Sequence, residues 1–329
     1  MRPIIAVLAG GFSGEYEVSI KSAGTIMDHL DQARFESYLV VMSEEGSVAK
    51  TSAGDQPLDL NTFSFDLGGQ KKQFDYAYII IHGTPGEDGK VQGYLDMMRI
   101  PYNTGSLLNM ALTFNKAHTQ VLMKLHDIPV ADHIIFRADD RPDAQQVVDR
   151  LGLPCFVKPT ESGSSIGVTK VKTIDALEAA IDTALAIHPE VIIESLLTGK
   201  ELACGVFRDE GAIRALPVIE IRSTREFFDY TAKYDDAETE EIVPAPIPEA
   251  AFKKCQELSK RIYDITDCRG IARADFFLCE DGLYFVEINT IPGMSPESLI
   301  PKELRAEGLD LTELLSRMII NDMEQFQKK

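Results

Sequence analysis

Basic residues and long apolar runs are both scarce in this sequence of 329 residues. Lysine and arginine total 33 against 52 aspartates and glutamates, which gives a formal net charge of −19. A chain this acidic repels phosphate backbones and anionic lipids, so we expect neither nucleic acid nor a membrane as a main partner. No apolar run approaches the length of a membrane-spanning helix.

Cysteine is also sparse, and its spacing argues against two kinds of site. The five cysteines are an odd number, and no two of them have C-x-x-C spacing. The sequence therefore predicts neither a disulfide framework nor a zinc site. The start "MRPIIAVLAGG" fits a first strand better than a signal peptide, and we expect a cytoplasmic protein.

The length suits two or three domains, and the order of segments divides the chain into three. In residues 1–104, buried-type strands alternate with turns and a helix, which indicates a parallel sheet covered by helices. Residues 43–75 lack strong periodicity and are interpreted as loops and a minor edge. Residues 105–193 predict a small α+β domain around a Gly-rich loop. Residues 194–329 predict longer strands, a charged surface loop at 222–241 and a last helix that begins at "DLTE".

The stretch "RADFFLCEDGLYFVEIN" indicates two strands joined in a hairpin. A two-residue loop, "DG", would place Asp275 and Glu287 on opposite faces. A three-residue loop, "EDG", would pair Asp275 with Glu287 and Arg273 with Asn289, all on one face. Two facing carboxylates repel when buried, and a divalent cation removes that conflict. Carboxylate and amide oxygens suit Mg²⁺, so the hairpin predicts a magnesium site, with a solvated polar face as the alternative.

The stretch "FVKPTESGSSIGVTKV" places Lys158 at a strand end, before a loop of glycine and serine. Glycines let successive backbone N–H groups approach phosphate oxygens. The loop also matches G-x-S-x-G, in which Ser165 would be the nucleophile of a hydrolase. That elbow requires a helix after the turn, whereas "VTKV" predicts a strand. A phosphate flap is therefore favoured over an ordinary turn or an elbow. Lys116 and Glu194 are ordinary surface features when taken alone.

The segment "LAGGFSGEYEVS" is a Gly-rich turn between a strand and a helix, where an anion such as a carboxylate can bind. It lacks the full dinucleotide fingerprint, so NAD is not favoured. His82, Glu87 and Asp88 follow a buried-type strand, at the usual ligand edge of an open parallel sheet. The alternatives are a structural histidine and a helix cap.

Together these segments resemble the D-alanine–D-alanine ligases of the ATP-grasp superfamily. The matching stretches are "GGFSGEYEVS", "HGTPGEDGKVQG", "IPYNTGS…FNKAHTQ", "VKPTESGSSIGV", "IIESLLTGKE", "FFDYTAKY", "ARADFF" and "VEINTIPGMSPESL", in the family's order over nearly the whole chain. The resemblance implies an α/β protein of three domains: an amino-terminal Rossmann-like domain and two α+β domains that hold ATP between them. It also implies a homodimer that joins two D-alanines through a D-alanyl phosphate and supplies peptidoglycan synthesis.

The resemblance further implies roles for individual residues. ATP would be bound by Lys116, Lys158, Ser164, Ser165, Glu194, Leu197, Glu201 and Lys233. Two Mg²⁺ ions, for which Mn²⁺ could substitute, would be held by Asp275, Glu287 and Asn289. The D-alanines would contact Glu15, His82, Glu87, Lys233, Tyr234, Arg273, Ser298 and Leu299. Catalysis would use Glu15, Ser164 and Tyr234, together with Arg273 and the N–H of Gly293 as oxyanion donors. The long loop that carries Tyr234 would act as a lid.

Three rival functions remain open on the sequence. One is another ATP-grasp carboxylate–amine ligase with a different substrate pair, which need not keep "FFDYTAKY" and "GMSPESL". The others are a serine hydrolase that uses Ser165 and a nucleotide-binding regulator without turnover. Tyr234 is the residue type associated with dipeptide formation. Ser162 and Ser295 depart from the family pattern and residues 43–75 fit it poorly, which affects fine geometry rather than the reaction.

Overall fold

The amino-terminal part of the chain is built on a five-stranded sheet in the order β4-β3-β2-β1-β7. The computed structural model describes residues 2–163, 166–223 and 239–328. The strands of this sheet are β1 (Ile4–Gly10), β2 (Glu36–Ser43), β3 (Gly46–Thr51), β4 (Gly54–Pro57) and β7 (Tyr76–Ile79). β1 is buried along its whole length and runs parallel to β2 and β7, as predicted. The helices of this part are α1 (Tyr16–His29) and α2 (Lys90–Met98).

Residues 43–75 are more ordered than the sequence predicted. β3 and β4 form the expected edge of the sheet, but β5 (Ser64–Leu67) and β6 (Gln70–Gln73) form a separate two-stranded sheet that was not predicted. Most side chains of β6 are exposed and polar, so the alternation that marks a strand is hidden. Buried rings hold the hairpin instead, with the Phe65 and Phe74 centroids 5.5 Å apart.

The second sheet has four antiparallel strands in the order β10-β9-β11-β8. They are β8 (His133–Arg137), β9 (Cys155–Pro159), β10 (Thr169–Val171) and β11 (Glu190–Ser195). The helices are α3 (Leu107–Phe114), α4 (Lys116–Leu125), α5 (Ala144–Leu151) and α6 (Leu177–Leu185), with a 3-10 turn at Ile174–Ala176. Side chains of Ser106, Asn115 and Asp143 accept N–H groups in the first turns of α3, α4 and α5, which explains where these helices begin. Because the Gly/Ser loop connects β9 to β10 and not to a helix, the hydrolase-elbow alternative is wrong.

The third sheet contains six described strands, all antiparallel, in the order β15-β14-β12-β16-β17 with β13 also paired to β12. They are β12 (Lys200–Asp209), β13 (Ala212–Ala215), β14 (Ile219–Ser223), β15 (Thr239–Ile242), β16 (Ile271–Cys279) and β17 (Gly282–Asn289). The helices are α7 (Glu249–Ile265), α8 (Leu299–Glu307) and α9 (Leu311–Gln327). Asp310 caps α9 by accepting the N–H of Glu313 at 3.0 Å, as "DLTE" predicted.

The last two helices return to the amino-terminal sheet. Ile300 and Leu304 of α8 and Leu315 of α9 belong to the same buried cluster as β1. Tyr76 of β7 donates its hydroxyl to Asp322 of α9 at 2.7 Å. In the described ranges, no helix combines the length and the apolar character that crossing a membrane requires.

Candidate active site

A cavity of about 1120 Å³ opens where the three parts of the chain meet. Its lining includes every predicted site residue that the structure describes: Glu15, His82, Glu87, Lys116, Lys158, Glu194, Leu197, Glu201, Arg273, Asp275, Glu287, Asn289, Gly293, Ser298 and Leu299. Four other predicted site residues, Ser164, Ser165, Lys233 and Tyr234, lie outside the described residues, as does the part of the predicted 222–241 lid between 224 and 238. Residues far apart in the sequence therefore meet in one space.

The predicted pairing of the acidic hairpin is confirmed. Asp275 of β16 lies opposite Glu287 of β17, and Arg273 lies opposite Asn289. Arg273 binds Asp275 through two hydrogen bonds of 2.7 Å, and the Asn289 amide donates to the same carboxylate at 2.9 Å. Glu287 lies 3.8 Å from the ammonium of Lys116. The two carboxylates of the hairpin thus face the cavity with cationic partners beside them.

The route to that pairing differs from the prediction. A three-residue loop was expected, but Cys279 pairs with Gly282 and leaves a two-residue loop of Glu280 and Asp281. Continued without interruption, this register would place Asp275 opposite Val286. A bulge next to Asp275 takes up the extra residue and restores the functional pairing.

Arg273 is a partly buried cation among carboxylates. Burial alone lowers the pKa of a guanidinium, but Asp275, Glu287 and Glu303 outweigh it and hold the Arg273 pKa above its usual value. Arg273 therefore stays positively charged, and it lines the cavity together with Asp275 and Asn289.

Lys158 of β9 and Glu194 of β11 are diagonal neighbours on adjacent strands and form a close ion pair inside the cavity wall. Glu194 is 5% exposed, so the alternative of a solvated strand end is wrong. The side-chain amide of Gln120 also donates to Glu194. Sequence reasoning missed Gln120, although it follows Lys116 by four residues on α4 and so shares its face.

Lys116 reaches the start of the Gly/Ser loop, because its ammonium donates to the carbonyl of Ser162 at 2.6 Å. The loop also approaches the amino-terminal part of the chain. A Cβ atom built on Gly163 would overlap the carboxylate of Glu15, so this approach requires glycine. The loop, Lys116 and Glu15 are therefore in contact across two parts of the chain.

The amino-terminal end of the cavity holds the buried Glu15, the half-buried Glu87 and the buried His82. Burial, and then the neighbouring Glu15, raise the pKa of Glu87 to about 8, although the Gly83 N–H donates to Glu87 at 2.7 Å. Burial lowers the pKa of His82, while Glu15 opposes that shift. The lowered pKa favours the uncharged form of His82 at neutral pH. Its Nε2 lies 3.4 Å from the Ser22 hydroxyl, which is within hydrogen-bonding distance.

The opposite end of the cavity is formed by the turn that follows β17. The hydroxyls of Ser295 and Ser298 lie 2.7 Å apart, and the Ser298 N–H donates to the Ser295 carbonyl. Ser298 begins α8 without capping it through its side chain, so its hydroxyl remains oriented by Ser295. Gly293 lies against Ser298, where a Cβ would be 2.9 Å from the serine oxygen.

The hairpin residues fit a hard divalent cation. Asp275 and Glu287 supply facing carboxylates, and Asn289, whose nitrogen points to Asp275, keeps its Oδ1 as a ligand. Within the described ranges, no group of three or more His, Cys, Asp or Glu could hold a metal. Asn289 and substrate oxygens would therefore complete the coordination shell.

Two α+β units around a cavity lined by lysines and acids are the arrangement of the ATP-grasp fold. The family described as "D-ala D-ala ligase N-terminus" matches residues 4–106, and "D-ala D-ala ligase C-terminus" matches residues 122–320. A D-alanine--D-alanine ligase of Porphyromonas gingivalis is 45% identical, over 99% of each chain.

Solved structures agree with this assignment. D-alanyl-alanine synthetase A from Vibrio cholerae superimposes with a TM-score of 0.89 at 28% identity, over 98% of each chain. A Bacillus anthracis D-alanine--D-alanine ligase complexed with ATP has a TM-score of 0.82 at 30% identity, covering 100% of this chain and 99% of the other. The chain belongs to the D-alanine–D-alanine ligase family.

Proposed function

We propose that this chain is an ATP-dependent ligase that joins two D-alanines into D-alanyl-D-alanine for peptidoglycan synthesis. The observation that carries the proposal is the convergence in one cavity of the acidic hairpin, the two lysines and the acids Glu15 and Glu87 of the amino-terminal part. Full-length similarity to ligases of this name supports the substrate, and the ATP complex of a relative supports the nucleotide.

In the first half of the reaction, a carboxylate oxygen of the donor D-alanine attacks the γ-phosphorus of ATP and ADP leaves. Lys116 and Lys158 offset the charge of the phosphoryl group, and the loop at Ser164 and Ser165 covers it. Glu194, Leu197 and Glu201 bind the adenosine. When bound by Asp275, Glu287 and Asn289, Mg²⁺ neutralises phosphate charge. The half-buried position of Lys158 beside the buried Glu194 supports these roles.

The donor amino acid is held at the amino-terminal end of the cavity. Glu15 binds its ammonium group, with His82 and Glu87 as neighbours that orient the acid. Ser164 and Tyr234 join Glu15 in a hydrogen-bonded set, and Lys233 and Tyr234 belong to the lid that excludes water. An acyl phosphate hydrolyses in open water, so the mechanism requires this closure.

In the second half, the amine of the acceptor D-alanine attacks the acyl carbon and phosphate leaves. The hydroxyl of Ser298 and the turn at Leu299 receive the acceptor carboxylate. Arg273 and the N–H of Gly293 stabilise the tetrahedral oxyanion, and one such donor is typically worth about 3 kcal/mol. The cluster of Gly293, Ser295 and Ser298 supports this assignment.

We also propose the domain limits 1–104, 105–193 and 194–329, because each range contains most of one of the three main sheets. As in the family resemblance, the enzyme would act as a cytoplasmic homodimer where ATP is available. Sedimentation velocity of the purified protein tests the dimer, and a monomer at micromolar concentration would contradict it.

The decisive experiment measures phosphate release from ATP with purified protein, Mg²⁺ and millimolar D-alanine, with the dipeptide identified by mass. L-alanine, D-serine and D-lactate replace D-alanine in parallel reactions. We expect release and dipeptide with D-alanine. No release would reject the proposal, and preferred turnover of another pair would favour a related ATP-grasp ligase instead.

A further inference from the structure

A fully buried acid on α8 has no role in the mechanism described above. Glu303 is 0% exposed and accepts the backbone N–H of Gly205 on both carboxyl oxygens, each at 3.1 Å. Gly205 lies in β12, directly opposite Arg273 of β16. One side chain therefore connects α8, which begins after Ser298, to the strand next to Arg273.

The sheet leaves this N–H without a backbone acceptor. β12 pairs with β14 as far as Ala203 and with β13 from Val206, so the ladder is interrupted beside Gly205. Gly205 still accepts the N–H of Leu216 at 2.8 Å, but the Leu216 carbonyl accepts from Gln256 instead. A buried N–H without a partner is costly, and Glu303 supplies the missing acceptor.

The contact is also sterically specific. A Cβ on residue 205 would lie 2.6 Å from Oε2 of Glu303, so the carboxyl occupies the space that a side chain would take. Burial, and then the Cys204 thiol, raise the pKa of Glu303 well above its usual value, against the Gly205 N–H and Arg273. The substitution Glu303→Gln would replace the carboxyl with an amide of nearly the same shape that keeps one acceptor oxygen.

We infer that Glu303 is a positioning residue for the acceptor D-alanine: by tying α8 to β12, it fixes the distance from Ser298 to Arg273. This inference rests on the proposed function, in which Ser298 receives the acceptor carboxylate and Arg273 stabilises the oxyanion. Both groups must hold the same substrate at once, so a shift of α8 changes the fit of the acceptor. The donor residues Glu15, His82 and Glu87 lie on other elements, and Glu201, the assigned ATP contact on β12, precedes Gly205 by four residues.

The test compares Glu303→Gln with Glu303→Leu in the full-length enzyme. Initial rates over a range of D-alanine and ATP concentrations give the KM for ATP and separate constants for donor and acceptor. Glu303→Leu should raise the acceptor KM by about tenfold, because it cannot accept the Gly205 N–H. The donor constant and the KM for ATP should stay within about twofold. Glu303→Gln, which keeps an acceptor oxygen, should restore the acceptor KM.

Leu315→Ala on α9 is the matched control, since Leu315 is buried in the same apolar cluster as Leu304 of α8, but its aliphatic side chain cannot hydrogen-bond to β12. It should lower the melting temperature without changing the ratio of the two D-alanine constants. If Glu303→Leu does not fold, Glu303→Asp, which retracts the carboxyl, should still raise the acceptor KM selectively. Unchanged constants, or a uniform change like that of Leu315→Ala, would overturn the inference. Wild-type enzyme without dipeptide synthesis would instead reject the proposed function.

Discussion

Two acids at the amino-terminal end of the cavity, Glu15 and Glu87, should make donor binding depend on pH. Glu87 has a pKa of about 8, raised first by burial and then by Glu15. Its carboxyl is therefore about one tenth ionised at pH 7 and about nine tenths ionised at pH 9. The ammonium group of a donor D-alanine held at Glu15 favours the ionised form of Glu87. Binding at pH 7 should accordingly release close to one proton from Glu87.

The size of the effect follows from these fractions. If the ionised form of Glu87 is the one that binds, donor affinity should rise by about tenfold between pH 7 and pH 9. The sign is fixed by the raised pKa, because protonation below pH 8 opposes binding of the cation. Glu87→Gln keeps an acceptor for the Gly83 N–H and removes the titration, so its profile should be flat apart from titration of the ligand itself.

Titration calorimetry with D-alanine and a non-hydrolysable ATP analogue measures this dependence. Two buffers of different ionisation enthalpy report the number of protons released at pH 7. The Glu87→Gln protein, measured over the same range, corrects for the ligand's own ionisation. Wild-type affinity that is flat or falls with pH would refute the reasoning, as would a Glu87→Gln profile with the wild-type slope.

Three further predictions concern other parts of the chain. Glu287→Gln should reduce phosphate release by at least about 100-fold, because a metal ligand is lost. The circular dichroism spectrum should be unchanged, because the substitution removes the repulsion between two facing carboxylates. Normal turnover would contradict the metal assignment. Lys158→Met should destabilise the fold by about 3 kcal/mol in urea unfolding, since buried Glu194 loses its partner. The double variant with Glu194→Gln should recover stability but not ATP binding, and recovery of both would contradict a phosphate role for Lys158. Burial raises the pKa of Asp322 from 3.8 to about 6, although the Tyr76 hydrogen bond lowers it. The fold therefore favours the protonated carboxyl, and the stability that this form contributes is lost as pH rises between those two values. Asp322→Asn should be more stable than wild type by about 3 kcal/mol above pH 7 and nearly equal to it near pH 4, and a constant difference in urea unfolding across pH would contradict this assignment.

The acidic hairpin illustrates what sequence can and cannot predict. Period-two alternation correctly brought Asp275 and Glu287 to one face, because side-chain direction is a local property of a strand. The loop length was wrong, because the bulge depends on packing between strands, such as the Phe276 and Phe285 rings at 6.1 Å. Tertiary packing of this kind leaves no regular spacing in the sequence.

Gln120 and Glu303 escaped prediction for a related reason. A polar residue on a helix ordinarily faces solvent, and nothing near either residue in the sequence indicates burial. Gln120 is buried because β11 brings Glu194 to it, and Glu303 is buried because an interrupted ladder in β12 needs an acceptor. Both partners are more than 70 residues away in the sequence, so only the fold reveals them.

The bulge at Val286 lies between the turn of the hairpin and the paired acids Asp275 and Glu287. The turn alone would set Asp275 opposite Val286, so the pairing of Asp275 with Glu287 is determined by the strand segments next to the cavity and not by the length of the turn.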